Sequence, residues 1–345
     1  VLLDLQRIVS SGATLSKAQV QSAVGELANE TSSPEAKADF LTALATRGET
    51  MEEIQHFAEA LRGLSILPKI DPALRNREIL DVCGTGGDNL NLFNLSTTVA
   101  ILVSAAGVPV AKHGNRAITS QSGSADVLEE LGIRIDLPPE EAAVWLSERR
   151  FAFFFAPRYH PAFKNIAPAR KLCAERGQRT LFNFLGPLLN PARPSAQLLG
   201  LPNPALCDPI AHVLQGLGLR RAMVVCGEAD GHPMDELSIC GGNTVAEFYQ
   251  ERGFNSSRLE PEDLGLPRAS VEALKGGGKV ANAAIVRAVL EGSERGPKRD
   301  ATLLNAGAAL FVAAAARSLI EGIEAAAGLI DSGKAGAQLA ALAKG

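Results

Sequence analysis

The chain reads as an α/β protein: a small helical domain plus a larger α/β domain with a mostly parallel, helix-covered sheet. Three observations predict this. Residues 1 to about 65 carry three helix-start signals and no strand signal. From Glu78 onward, short apolar runs alternate with helix-like stretches, the pattern of strand–helix–strand units. One of those runs, Phe151 to Phe155, holds no polar residue, as expected of a strand covered on both faces.

The helical domain is expected over residues 1–72. Ser16 to Gln19 and Thr50 to Glu53 have capping-box spacing, and Ser33-Pro34 offers an N-cap followed by proline at the first helical position. Phe57, Leu61 and Leu64 recur at helical spacing, and Gly48 and Gly63 are expected C-caps. A linker through Pro68, Asp71 and Pro72 leads to the α/β domain, expected over residues 73–345.

In that domain strands are expected at Ile79–Cys83, Val108–Ala111, Phe151–Phe155 and Met223–Cys226. Helices are expected at Ser96–Ala106, Ala125–Leu131 and Pro138–Arg150, with Gly107 and Gly132 closing the first two. Gly276-Gly277-Gly278 marks a loop, and the remainder reads as helical, including the alanine-rich run Ala301–Ala316. In such a sheet the ligand site lies beyond the carboxyl ends of the strands. The loops at Gly84 and Lys112 both follow strands and so belong on one edge.

Composition excludes some functions. A formal net charge of -4 over 345 residues argues against broad nucleic-acid binding. No apolar run approaches the roughly 20 residues of a membrane span, and Asp4 and Arg7 interrupt any signal-like start. Five scattered cysteines without a C-x-x-C pair suggest reduced thiols and a cytoplasmic home. Cys83, beside the glycine loop, reads as a small core residue rather than a nucleophile.

Chemistry concentrates between Asp81 and Asp126. Gly84-Thr85-Gly86-Gly87-Asp88 suits an anion cradle, because glycines let successive N–H groups converge. Ser96 and Thr97 open an apolar helix whose N-terminus attracts anions, and Lys112 and Arg116 add positive charge. Asp88 suits a ribose hydroxyl or a hydrated cation. Neither common phosphate fingerprint fits: Asn89 stands where G-x-G-x-x-G needs its third glycine, and no G-x-x-x-x-G-K-[ST] run occurs. A second polar concentration spans residues 158 to 191, where Arg170 follows a locally apolar run while Lys171 and Arg176 read as a solvated face. His160 reads as a structural histidine at a strand end. Asp235-Glu236, placed on a loop, can converge on a hard cation, and Mg²⁺ takes one or two carboxylates with waters and phosphate oxygens.

Gly84 to Asp88, Asn94 to Thr97, Lys112 to Ser120, Arg170 through Pro191, Asp235-Glu236 and Gly296-Pro297-Lys298-Arg299-Asp300 together resemble the anthranilate phosphoribosyltransferase family over nearly the whole chain. The resemblance implies the nucleoside phosphorylase/phosphoribosyltransferase type of fold, with part of about 165–188 returning to the helical domain. It implies a cytoplasmic homodimer formed through that domain. The implied reaction transfers the phosphoribosyl group of 5-phosphoribosyl diphosphate (PRPP) to the amine of anthranilate, releasing diphosphate, in tryptophan biosynthesis. By position, Gly84, Gly87, Asp88, Asn94, Leu95, Ser96, Thr97, Lys112, His113, Gly114, Asn115, Arg116, Thr119, Ser120 and Ser124 would hold PRPP. Gly84, Asn115 and Arg170 would face anthranilate, and Ser96, Asp235 and Glu236 would ligate Mg²⁺. No single residue is assigned as acid or base, because an aromatic amine is already a neutral nucleophile. Two positions depart from what is frequent in the family: Asn89 replaces a glycine and Leu92 a threonine.

Three other readings are weighed. A pyrimidine nucleoside phosphorylase resembles this fold but binds inorganic phosphate and does not need the Asp-Glu pair. A nucleic-acid-binding relative is opposed by the acidic charge. Transfer to another aromatic acid depends on pocket shape.

Overall fold

Four helices open the chain, the last three with side-chain N-caps: α1 (Leu2–Ser10), α2 (Lys17–Ala28), α3 (Pro34–Arg47) and α4 (Met51–Gly63). Both expected capping boxes form, Ser33 caps α3 ahead of Pro34, and Gly48 closes it at φ 89. Gly63 is the last residue of α4 instead of its cap, which is Leu64. The interior is apolar, with Val9, Val20, Leu27, Phe40, Leu41, Leu44 and Phe57 buried. The coordinates are a computed structural model that describes residues 1–117, 121–249 and 253–345. The chain forms two units: residues 1–67 with 156–191, and residues 68–155 with 192–345.

The second unit begins with α5 (Pro72–Arg75), a single turn capped by Asp71 within the expected linker. There follow β1 (Leu80–Gly84), α6 (Leu95–Ala105), β2 (Val110–Gly114), α7 (Ser124–Glu130), α8 (Pro139–Glu148) and β3 (Phe151–Phe155). The chain then rejoins the helical unit through α9 (Ala156–Tyr159) and α10 (Phe163–Glu175). His160 follows α9, a four-residue helix, so it is not at a strand end. Buried Lys37 fastens α10 by donating to the carbonyls of Asn29 (2.7 Å) and Asn165 (2.9 Å), while Asn165 Nδ2 donates to Ala28 O (2.8 Å).

The rest of the α/β unit comprises β4 (Ala196–Gly200), α11 (Cys207–Gly216), β5 (Arg221–Ala229), β6 (His232–Met234), β7 (Asn243–Tyr249), β8 (Gly253–Leu259), α12 (Val271–Leu274), α13 (Lys279–Leu290), α14 (Pro297–Val312), α15 (Leu319–Asp331) and α16 (Lys334–Leu342). The sheet runs β3-β2-β1-β4-β5-β7-β8, with β6 also paired to β5. Its first five strands are parallel; the pairings of β5 with β6 and β7, and of β7 with β8, are antiparallel. The chain moves outward from β1 to β3, then re-enters on the other side of β1 as β4. Strand order therefore reverses between β1 and β4, the crevice where α/β sheets bind ligands. Gly84 and Gly200 lie side by side in register at that point.

Candidate active site

Asp235 and Glu236 follow β6 and cross the carboxyl ends of β1, β4 and β5. The crossing depends on glycine. A Cβ on Gly84 would meet the Asp235 carboxylate, one on Gly200 would meet the Asp235 carbonyl, and one on Gly227 would sit 2.5 Å from the Glu236 oxygen. The acidic segment is braced from both flanks. Asn305 of α14 accepts the Leu237 N–H (3.0 Å) and donates to its carbonyl (2.8 Å). Asn243 of β7 accepts the Ser238 N–H (2.7 Å) and donates to Ser238 O (3.0 Å). Asn243 and Asn305 are fully buried, so these bonds are shielded from water.

The glycine loop meets this acidic segment. The Gly86 N–H donates to Asp235 Oδ2 (2.6 Å), and Asp88, whose Oδ1 accepts the Leu90 N–H (3.1 Å), faces Asp235. The loop turns through left-handed residues: φ is 74 at Gly86, 91 at Gly87, 59 at Asn89 and 55 at Asn91. Asparagine tolerates this region better than other side-chain-bearing residues. Asn89 thus keeps the backbone that a glycine would adopt there. Leu92 is paired in an antiparallel bridge with Lys275.

Asn94 occupies the N-cap position of α6, and Ser96 faces Glu236 through its backbone N–H. Leu95 and Thr97 are buried, so Leu95 offers only its backbone. The Thr97 hydroxyl, however, is a buried polar atom without a partner among the described residues. Lys112 lies beneath the site, 2% exposed, donating to Val82 O (2.8 Å) and Ser96 Oγ (3.2 Å). It fixes the serine hydroxyl from below and sets a positive charge against buried Asp81 and against Glu236.

The electrostatics are those of a site with excess negative charge. Burial, then the neighbouring Glu236 and Asp88, hold the Asp235 carboxyl far above its usual range. Burial pushes Glu236 up to about 7, opposed by Lys112 and reinforced by Asp88. Carboxylates so crowded favour a cation. Among the described residues no three His, Cys, Asp or Glu side chains are arranged to hold a metal by themselves. A cation here must take part of its shell from waters or ligand oxygens, as Mg²⁺ does. The hard-oxygen donors Asp235, Glu236 and Ser96 fit such an ion.

The loop after β2 forms the other wall. His113 N donates to Asp81 Oδ1 (3.4 Å), and Ser124 Oγ donates to Asn115 O (3.3 Å). Gly114 is required, because a Cβ there would strike Ser124 Oγ. Arg116 pairs with Asp126 (3.1 Å) and Glu129 and lies over the Phe155 ring at 5.7 Å. Asp126 also accepts the N–H groups of Ala117 and Gly123, each at 2.9 Å. Thr119 and Ser120 lie outside the described residues.

In the helical unit Arg170 is half-buried on α10, with its guanidinium 5.4 Å from the Phe182 ring centroid. Phe182 meets Phe163 edge-on at 5.7 Å, and Phe163 meets His160 at 5.5 Å. Burial alone lowers the Arg170 pKa, with no carboxylate opposing it. By contrast, Arg176 pairs with Asp39 (2.7 Å) and Lys171 is exposed near Glu175, as a solvated face requires. Burial also pushes the Cys83 thiol far up, which excludes it as a nucleophile at neutral pH. The structure thus brings the glycine loop, Asp88, Ser96 and Lys112 together with Asp235 and Glu236. It adds Gly200, Gly227, Asn243 and Asn305, whose part in the site depends on partners distant in sequence.

At the switch point the glycine-floored acidic segment faces the glycine loop, an arrangement able to hold a cation beside an anionic ligand. The sequence matches the helical bundle domain of the glycosyl transferase family over residues 4–65 and that family's a/b domain over residues 76–336. An anthranilate phosphoribosyltransferase of Symbiobacterium thermophilum is 47% identical over 332 residues, covering 96% of this chain and 94% of that relative. The crystal structure of anthranilate phosphoribosyltransferase from Thermus thermophilus superposes with a TM-score of 0.89 at 41% identity, over 99% of this chain and 98% of that one. The Saccharomyces cerevisiae enzyme in complex with PRPP and Mg gives 0.88 at 27% identity, over 99% and 97%. The chain belongs to the anthranilate phosphoribosyltransferase family.

Proposed function

We propose that this chain transfers the phosphoribosyl group of PRPP to the amine of anthranilate, releasing diphosphate, as the phosphoribosyl step of tryptophan biosynthesis. The observation that carries this reading is the convergence of Asp235, Glu236 and Asp88 on the glycine loop and the N-terminus of α6. It unites carboxylates for a divalent cation with N–H groups for phosphate.

In this reading Asp235, Glu236 and Ser96 hold Mg²⁺, and PRPP lies along Gly84, Gly87, Asp88, Asn94 to Thr97 and His113 to Arg116, with Thr119, Ser120 and Ser124. When bound, Mg²⁺ neutralises charge on the departing diphosphate. The chain's own contribution is positioning and preorganised charge. The glycine-loop N–H groups and the α6 N-terminus suit phosphate oxygens, and Lys112 holds Ser96 and lends its charge from below. The bond from C1 of the ribose to diphosphate breaks with its electron pair leaving on oxygen, the anthranilate nitrogen bonds to C1, and that nitrogen loses a proton. No side chain need remove the proton before attack. Arg170 is assigned the anthranilate carboxylate. Its support is a desolvated guanidinium without a carboxylate partner among the described residues, lying over an aromatic ring.

A homodimer formed through the helical unit belongs to the same reading, supported by the exposed Val1, Leu3, Leu64, Ile66 and Leu67. A cytoplasmic home is supported by five free cysteines. Among the described residues no helix is long and apolar enough to cross a membrane.

The test is loss of anthranilate fluorescence with purified protein, PRPP and Mg²⁺, omitting each component in turn. Loss only with all three supports the reaction. Donor binding without turnover points to another aromatic acceptor. Arg170→Ala should weaken anthranilate binding while leaving PRPP binding intact; unchanged affinity for both removes Arg170 from the acceptor site.

A further inference from the structure

The triple glycine before α13 and the amide of Asn282, in that helix's first turn, have no role in the reading above. Asn282 is 2% exposed. Its Oδ1 accepts the Gly277 N–H at 2.8 Å, and its Nδ2 donates to Asn94 Oδ1 at 2.7 Å. Asn94 Nδ2 in turn donates to Ser122 O at 3.2 Å. The relay has one consistent direction. A backbone N–H at Gly277 can only donate, and a backbone carbonyl at Ser122 can only accept. Both amides between them are therefore fixed in orientation.

The consequence falls on α6. An asparagine at an N-cap normally turns its oxygen onto the first N–H groups of its own helix. Asn94 does not: its side chain makes no capping bond. Its oxygen is held by Asn282, so Asn94 does not cap α6, and the Ser96 N–H meets Glu236 instead. The second hydrogen on Asn94 Nδ2 has no partner among the described residues. The supporting segment is itself pinned. Phe93 N donates to Leu274 O (3.1 Å), Gly276 N to Asn91 O (3.0 Å) and Lys298 Nζ to Ala273 O (2.7 Å). Gly276 must be glycine, because a Cβ there would meet the Asn282 amide oxygen and lie 2.8 Å from Phe93 Cα.

We propose that Asn282 is a positioning residue for the donor site. By fixing the Asn94 amide it keeps the Asn94 oxygen from capping α6 and makes Asn94 a hydrogen-bond donor to phosphate. The proposal rests on the reading of this site as one for PRPP.

The experiment is a calorimetric titration of PRPP with Mg²⁺ into the wild type, Asn282→Asp, Asn94→Ala and the double variant. A carboxylate at 282 still accepts from Gly277 but cannot donate to Asn94, so donor affinity should fall about tenfold, the order expected for one hydrogen bond to a charged group. The double variant should bind no worse than Asn94→Ala alone, because Asn282 acts through Asn94; a merely structural role would make the losses multiply. Gly276→Ala, which displaces the Asn282 oxygen without removing the side chain, should also weaken PRPP, and serves as the probe if Asn282→Asp melts. The anthranilate KM should stay unchanged throughout. Wild-type PRPP affinity in folded Asn282→Asp, or multiplying losses in the double variant, overturns the relay. A wild type that does not bind PRPP overturns the phosphoribosyl reading itself, and the relay's purpose with it.

Discussion

Gly227→Ala probes the floor under the acidic segment. Gly227 is held in β5 with Met234 of β6 and Asn243 of β7 as its paired neighbours, so its backbone has little freedom to retreat. An added methyl would lie 2.5 Å from Glu236 O, 2.7 Å from Ser238 Cβ and 2.9 Å from Ser238 N. Ordinary carbon contacts lie near 3.5–4.0 Å, so the segment must withdraw by about 1 Å. It does so against the Asn243 and Asn305 bonds that hold Ser238 and Leu237. Overpacking of this kind destabilises a fold by about 1–3 kcal/mol. A shift of this size in catalytic groups can lower turnover about 100-fold. The assay is kcat/KM for PRPP across a Mg²⁺ series, with a thermal melt to show that the variant is folded. A folded variant whose kcat/KM and Mg²⁺ dependence match the wild type would refute the argument that this floor sets the carboxylates.

Three further outcomes are expected. Asn89→Gly should leave the PRPP KM nearly unchanged, whereas Asn89→Val, forced to φ near 59, should cost about 1–2 kcal/mol and raise it. Asn305→Leu strands the buried Leu237 N–H and carbonyl, so urea unfolding should show a loss of about 2–3 kcal/mol and the Mg²⁺ requirement should rise. Burial lowers the His160 pKa from 6.5 to about 4, so the native state prefers the neutral ring. Its stabilisation relative to the protonating unfolded chain is intact above pH 6.5 and is lost as pH falls toward 4, amounting to about 2 kcal/mol by pH 5. Urea titrations at pH 7 and 5 should show that loss in the wild type and a smaller one in His160→Asn.

What the sequence made legible was local chemistry. Capping residues at Ser16, Ser33 and Thr50 announce helix starts because the side chain bonds its own helix. The glycine loop and the Asp-Glu pair each say little alone and point to a site only in combination, and they do meet. What was hidden depends on partners distant in sequence. The strand β4, Ala196–Gly200, is short, carries Gln197 and sits among prolines; its pairing with β1 and β5 makes it a strand. The strand β8, Gly253–Leu259, is an exposed, polar edge that only β7 specifies. Gly200 and Gly227 look like any strand glycine until the acidic segment is seen passing over them. Asn89, a departure from the frequent glycine, takes a left-handed φ that asparagine tolerates, which the sequence alone did not reveal. Lys112 was expected to add positive charge at the donor site; the structure shows it buried and donating to Ser96, a contact the sequence could not reveal.

The central claim is that the donor is held through a cation on Asp235 and Glu236, because those carboxylates and Asp88 would otherwise repel its phosphates. The most direct measurement is calorimetric titration of PRPP into the wild type with Mg²⁺ and with a chelator, repeated on Asp235→Asn/Glu236→Gln. The account predicts binding roughly tenfold or more weaker without Mg²⁺ in the wild type, and a variant whose affinity no longer depends on the metal. Equal wild-type affinity with Mg²⁺ and with chelator would contradict it.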